Sequence, residues 1–139
     1  MGEADLPPSA TVTYEFHDSS VPPPFHRSFR LVFDRSQARI VVDSYGDVLA
    51  DRTAAVSPAA WQQVSAGFPA VRGLALAEPA EGCTGGTGFS ATVAEDGTVR
   101  FSLSGLACGG VNSDAAERLA EWVRPVRSLF PPMNELAPE

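Results

Sequence analysis

The chain has 139 residues, a formal net charge of −7 and ten basic residues, every one of them arginine. That length supports one domain with a real hydrophobic core and is short for two. The acidic balance, without any basic cluster, argues against nucleic-acid binding. The lack of lysine excludes a lysine Schiff base, and no apolar run approaches a membrane span.

Residues 1–10 read as a flexible lead. Met1-Gly2-Glu3-Ala4-Asp5-Leu6-Pro7-Pro8 has neither the charged nor the apolar region of a secretory signal. The expectation is a cytoplasmic protein, the alternative being an exported domain whose signal is absent from this sequence. Leu6 stands where the myristoylation pattern begun by Met1-Gly2 would need Ser or Thr.

A first strand is predicted at residues 11–16, where Val12, Tyr14 and Phe16 alternate with Thr11, Thr13 and Glu15 in the period of a half-buried strand. His17-Asp18-Ser19-Ser20-Val21-Pro22-Pro23-Pro24-Phe25-His26 follows, holding both histidines and the densest proline run. Three consecutive prolines can neither continue a helix nor donate to a sheet ladder, so this stretch crosses between strands as a stiff loop. Residues 28–33 set Phe29, Leu31 and Phe33 on one face, and Asp34-Arg35-Ser36-Gln37 turns the chain into Ile40-Val41-Val42. Asp43-Ser44-Tyr45-Gly46-Asp47 is a second turn, with Gly46 able to take positive φ, and Val48-Leu49-Ala50 begins a fourth strand.

Ser57-Pro58 is a helix start, a hydroxyl cap followed by a proline whose missing N–H is not needed there. Trp61, Val64 and Phe68 follow at helical spacing, and the helix is predicted to end near Gly67-Phe68-Pro69. Residues 74–76 read as a short strand. Residues 89–93 and 98–103 alternate on either side of Asp96-Gly97, a hairpin signal. A second helix opens near Ser113-Asp114, with Asp114 and Glu117 at capping-box spacing and a buried stripe of Leu119, Trp122, Val123 and Val126. Pro125 within that stripe predicts a kink or restart, and residues 131–139 read as a tail, frayed or laid over the surface. The predicted architecture is α+β: a single domain over residues 11–130, mainly an antiparallel sheet (meander plus hairpin) with two helices packed on one face. Its core joins Tyr14, Phe16, Phe29, Leu31, Phe33 and Phe101 to Trp61 and Trp122.

Four blocks carry a resemblance: residues 14–28 with the His-Asp-Ser-Ser-Val-Pro-Pro run and His26-Arg27-Ser28, residues 42–49 with Val42-Asp43-Ser44-Tyr45-Gly46, Gly82-Cys83-Thr84-Gly85-Gly86-Thr87, and Cys108-Gly109-Gly110. In this order they resemble a family of small uncharacterised bacterial proteins, some attached to lipoprotein signals, over roughly residues 12–130. The resemblance implies a single domain and a paired role for the two cysteine loops, and brings no activity with it. The chain departs from the pattern in lacking a lipoprotein signal and in a shorter, less aromatic segment around Cys108.

His17, Asp18 and His26 are the candidate catalytic residues, with Cys83 as an outside nucleophile. Two imidazoles and a carboxylate can form a first shell for zinc or another divalent metal, but their spacing lacks the helical i,i+4 pairing that locks ligands, so no metal site is assigned. Loop bracing by the histidines ranks first, acid–base or ligand contact second, metal third. Cys83 and Cys108 flank the predicted hairpin, which brings its ends together. A disulfide or adjacent pair is expected, with unpaired structural thiols and a reactive cysteine as alternatives. The glycines after Cys83 lack a P-loop lysine and mark a tight turn. Ser19, Ser20 and Ser44 lack the Gly-x-Ser-x-Gly setting of an exposed nucleophile and read as caps and turn residues.

The expected function is a non-enzymatic interaction or ligand-binding module, with Ser19, Ser20, Pro22, Pro23, Pro24, Phe25, Arg27 and Tyr45 as binding residues, no cofactor, and an unidentified protein or small molecule as partner. Stiff proline and aromatic surfaces lose little entropy on binding. The alternative is a small hydrolase or metal-dependent enzyme using His17, Asp18, His26 and Cys83; a third is an inhibitor or immunity-type protein.

Overall fold

The computed structural model describes residues 6–77, 86–108 and 110–139. Strands β1 (Ala10–His17), β2 (Ser28–Phe33), β3 (Gln37–Ser44) and β4 (Asp47–Ala55) form the meander, followed by helix α1 (Pro58–Arg72), the hairpin β5 (Thr87–Glu95) and β6 (Thr98–Ala107), helix α2 (Ser113–Arg127) and the short helix α3 (Met133–Leu136). All six strands make one antiparallel sheet in the order β4-β3-β2-β1-β5-β6. The α+β class read from the sequence is therefore the observed one.

Period-two alternation decides which face is buried. Val12, Tyr14, Leu31, Phe33, Ile40, Val42, Phe89, Ala91 and Val93 turn inward and are buried, while Thr13 and Glu15 stand opposite Val32 and Arg30 on the other face. The two-residue turns of β3–β4 and β5–β6 need positive φ at both central positions. Tyr45 (φ 50°) with Gly46 (φ 93°) and Asp96 (φ 51°) with Gly97 (φ 79°) supply it.

The helices cover the inward face. Ser57 Oγ accepts the amide of Ala60 at 3.1 Å, as the sequence leads one to expect. An aromatic chain then ties the layers: Phe101 of the sheet meets Phe68 of α1 edge-on at 5.5 Å, and Phe68 stacks on Trp122 of α2 at 5.8 Å. Trp122 is buried and its indole N–H donates to the Val64 carbonyl at 2.7 Å.

Four local expectations are corrected. Helix α1 runs through Pro69 to Arg72, and α2 continues through Pro125 to Arg127, so the chain does not restart there. An interior proline costs about 3 kcal/mol, but burying a large aliphatic or aromatic side chain contributes roughly 1.5–3 kcal/mol. Phe68 and Val71 are buried around Pro69, as are Val123 and Val126 around Pro125. Residues 74–76 form no strand. Instead the Asn112 side chain accepts the Ala77 amide (2.8 Å) and donates to the carbonyls of Ala77 (2.7 Å) and Leu106 (2.9 Å). This clasp engages the peptide groups of Ala77 without a ladder. The capping box is also absent: Asn112, at φ 63°, is the N-cap of α2, and the Asp114 carboxylate accepts from Arg118 at 2.9 Å.

Leu6 is buried, its amide donating to Ser65 Oγ at 3.1 Å. The tail lies against the domain: Phe130, Leu136 and Ala137 are buried, and Arg127 sits 5.7 Å over the Phe29 ring while donating to the Pro131 carbonyl at 2.9 Å. Burial holds the Arg127 guanidinium below its ordinary value. Among the described residues no helix is long and apolar enough to cross a membrane.

Removing the Trp122 ring empties the α1–α2 contact and removes the indole bond to the Val64 carbonyl. Trp122→Ala is expected to lower stability by about 3–5 kcal/mol in urea unfolding. A loss below about 1 kcal/mol would mean that the indole does not join the layers.

Candidate functional site

The predicted loop folds into a braced cap between β1 and β2. Its base is closed by Asp18, whose carboxylate accepts the amides of Ser19 (2.8 Å) and Arg27 (2.9 Å). The Asp18 amide donates to Ser28 Oγ at 2.9 Å. Both ends of the loop are thus stitched across eight intervening residues. Proline suits the crossing because it needs no backbone donor: Pro22 is extended at ψ 148°, and Pro23–Phe25 make one 3-10 turn closed by the Phe25 amide on the Pro22 carbonyl at 2.9 Å.

The β3–β4 turn holds the loop from below. Ser44 Oγ donates to the Pro23 carbonyl at 2.7 Å, and the Tyr45 hydroxyl donates to the Val21 carbonyl at 2.6 Å. His26 stacks on the Tyr45 ring at 3.9 Å between centroids and 25° between planes. A left-handed backbone disfavours a residue with a Cβ by roughly 1–2 kcal/mol, and at Tyr45 the ring stack and the hydroxyl bond offset it.

His26 is buried. Its Nε2 lies 3.5 Å from Ser28 Oγ, and its Nδ1 is buried with no hydrogen-bond partner among the described residues. His17 instead is exposed, with Nε2 3.5 Å from Glu15 Oε1. It lines a shallow depression of about 470 Å³ with Asp18, Gly86, Gly88, Ser90 and Ser104. Gly88 stands directly opposite His17 on β5. A Cβ there would come within 3.2 Å of the His17 Cβ, so glycine lets the imidazole lie across the neighbouring strand.

The candidate triad therefore divides. Asp18 spends its carboxylate on two backbone amides, His26 is enclosed behind the loop, and His17 faces solvent beside Glu15. Among the described residues no group of three His, Cys, Asp or Glu is gathered to hold a metal ion. Arg27 is occupied with backbone carbonyls, of Ala137 and Pro138 at 2.8 Å each and of His26 at 2.7 Å, which fastens the tail beside the loop. Ser19 is half-buried and Ser20 exposed. Cys83, with Gly82, Thr84, Gly85 and Gly109, lies outside the described residues. Cys108 pairs with Val111 through two backbone hydrogen bonds, and no free thiol occurs among the described residues.

The outer side of the loop is apolar. Pro22, Pro23 and Pro24 are exposed, and so are Phe25 (54%), Tyr45 (56%), Val48 (62%) and Leu49 (43%). Sequence reasoning found the first five and missed the last two. Register explains them: Val42 pairs with Ala50 but Asp43 with Val48, so Leu49 is the extra residue of a β-bulge on the edge strand. Strand alternation predicts one inward residue of any two neighbours; the bulge leaves both exposed. Only the unusual Val-Leu pair directly after a turn hinted at this. Comparison with models of known families, with curated proteins and with solved structures finds no match.

Two substitutions probe the bracing. Asp18→Ala strands two amides at the base of the loop and should lower stability by about 1–3 kcal/mol in denaturant unfolding. His26→Phe keeps the stack on Tyr45 and deletes the orphaned nitrogen, so its thermal midpoint should match or exceed that of the parent chain. A marked drop would show that the imidazole nitrogens contribute more than the stack does.

Proposed function

We propose that this chain is a non-enzymatic interaction module whose recognition surface is the proline loop, residues 22–26, together with Tyr45, Val48 and Leu49. The observation that carries the reading is the contrast between the two sides of the loop. Asp18, Ser44 and the stacked His26 brace the loop from within and the Tyr45 hydroxyl ties it to the adjacent turn, while Phe25 stands 54% exposed. Immobilising a free side chain on binding costs about 0.5–1.5 kcal/mol, and a loop already held in place avoids much of that. Apolar patches of this kind, rimmed by polar residues, characterise protein–protein and ligand contacts. The partner is a protein or small molecule with a complementary apolar surface, and Phe25 is its central anchor.

Phe25→Ala should leave stability within about 0.5 kcal/mol, since the ring is exposed. It should weaken partner binding by about 2 kcal/mol, roughly thirtyfold, as for an aromatic hot spot. The measurement is quantitative affinity capture from the source cells with the parent chain, Phe25→Ala and Leu49→Asp in parallel; partners retained equally by all three would reject the reading. Titration calorimetry with zinc, manganese and nickel tests the enzyme alternative. Stoichiometric metal, lost in both His17→Ala and His26→Ala, would favour that alternative.

A further inference from the structure

The helix layer carries a second surface, independent of the proline loop. Between α1 and α2 runs an open groove of about 500 Å³. We propose that this groove docks a basic amphipathic helix of a partner protein.

One wall is unusually neutral. Helix α1 carries no Asp, Glu, Lys or Arg from Pro58 to Val71, although Ala59, Gln62, Gln63, Ala66, Pro69 and Ala70 are all exposed. The outer face of a solvated helix is ordinarily charged. A neutral face of small residues is what a packed neighbour requires, because small side chains let a second helix axis approach closely. Within the groove Gln63, Gly67 and Ala70 follow at i, i+4 and i+7, one stripe along the helix. At Gly67 a Cβ would come 3.1 Å from Trp122 Cδ1. The glycine therefore admits the indole and leaves bare backbone as the floor.

The opposite wall is acidic on balance, with three carboxylates set against the one guanidinium of Arg118. Asp114, Glu117 and Glu121 rise along α2 at successive turns, a carboxylate ladder with steps of about 5.4 Å. Asp114 is paired with Arg118 at 2.9 Å and Glu121 with Arg124. Glu117 forms no ion pair among the described residues. The chain as a whole carries −7. A helix with small or apolar residues over Gly67 and Trp122, and arginine or lysine one turn apart along its flank, matches both walls at once. That is the helix-in-groove mode of recognition, with charge complementarity setting orientation and salt dependence.

The probe is an acetylated, amidated peptide of about 18 residues, five turns, built from leucine and alanine on one face and arginine on the other. A control peptide has glutamate at every arginine. Full-length protein is titrated with each, followed by calorimetry and by amide and indole NMR shifts. The basic peptide should bind saturably, shift Gly67, Ala70, Glu117 and the Trp122 indole N–H, and weaken as salt is raised. Glu117→Lys, an exposed change that leaves the core untouched, should reduce affinity about tenfold, and Gly67→Leu should block binding if its thermal melt shows a folded protein. No saturable binding of the basic peptide, equal binding of the acidic one, shifts centred on the proline loop, or undiminished affinity in Glu117→Lys would each overturn the proposal.

Discussion

The structure depends on β1 being hydrogen-bonded along both edges. On one side it pairs with β2 from Val12 to Phe16, and on the other with β5 from Ala10 to His17. The first partner follows immediately in the chain, whereas the second arrives some seventy residues later, beyond the meander and α1. Without that long-range ladder the meander and the hairpin would be separate sheets, and the two-stranded hairpin would be marginal by itself. With it, Tyr14 and Phe89 join one continuous apolar surface that both helices cover. The candidate site inherits its position from the same strand. The loop leaves the end of β1, and Gly88 is brought beside His17 because those residues are register partners.

The loop shows how a segment without regular structure becomes rigid. Its three prolines remove backbone freedom and donors together, so the remaining polar groups must be satisfied from outside. Asp18 and Ser28 do this at the base, and Ser44 and Tyr45 from the adjacent turn. The residues most suggestive of chemistry are thereby turned to architecture. A carboxylate holding two amides and an imidazole pressed on a tyrosine ring are braces, and the apolar side chains they support become the exposed feature.

The helix layer follows a similar economy. Asn112 alone links the end of β6, the segment after α1 and the start of α2 through three side-chain hydrogen bonds. Its left-handed backbone is one that asparagine tolerates better than most residues. Two prolines sit inside helices because the apolar side chains flanking them are buried. The α1–α2 pair then closes around Trp122 and leaves the neutral face of α1 uncovered.

The sequence by itself determined the pieces whose cause is local. Alternation set the strand faces, Asp96-Gly97 and Tyr45-Gly46 set the tight turns, Ser57-Pro58 set a helix start, and the prolines set a stiff crossing after His17. These depend on sterics and hydrogen bonds among residues a few positions apart. Only the tertiary structure decided that β5 lies beside β1, that His26 is enclosed while His17 is exposed, that Asn112 rather than Asp114 caps α2, and that the helices pass through Pro69 and Pro125. It also decided that a bulge leaves both Val48 and Leu49 exposed. Each of these is a contest between a local preference and contacts supplied from distant parts of the chain. The contacts won because burial and long-range hydrogen bonds together outweigh the one or few kcal/mol of a local penalty.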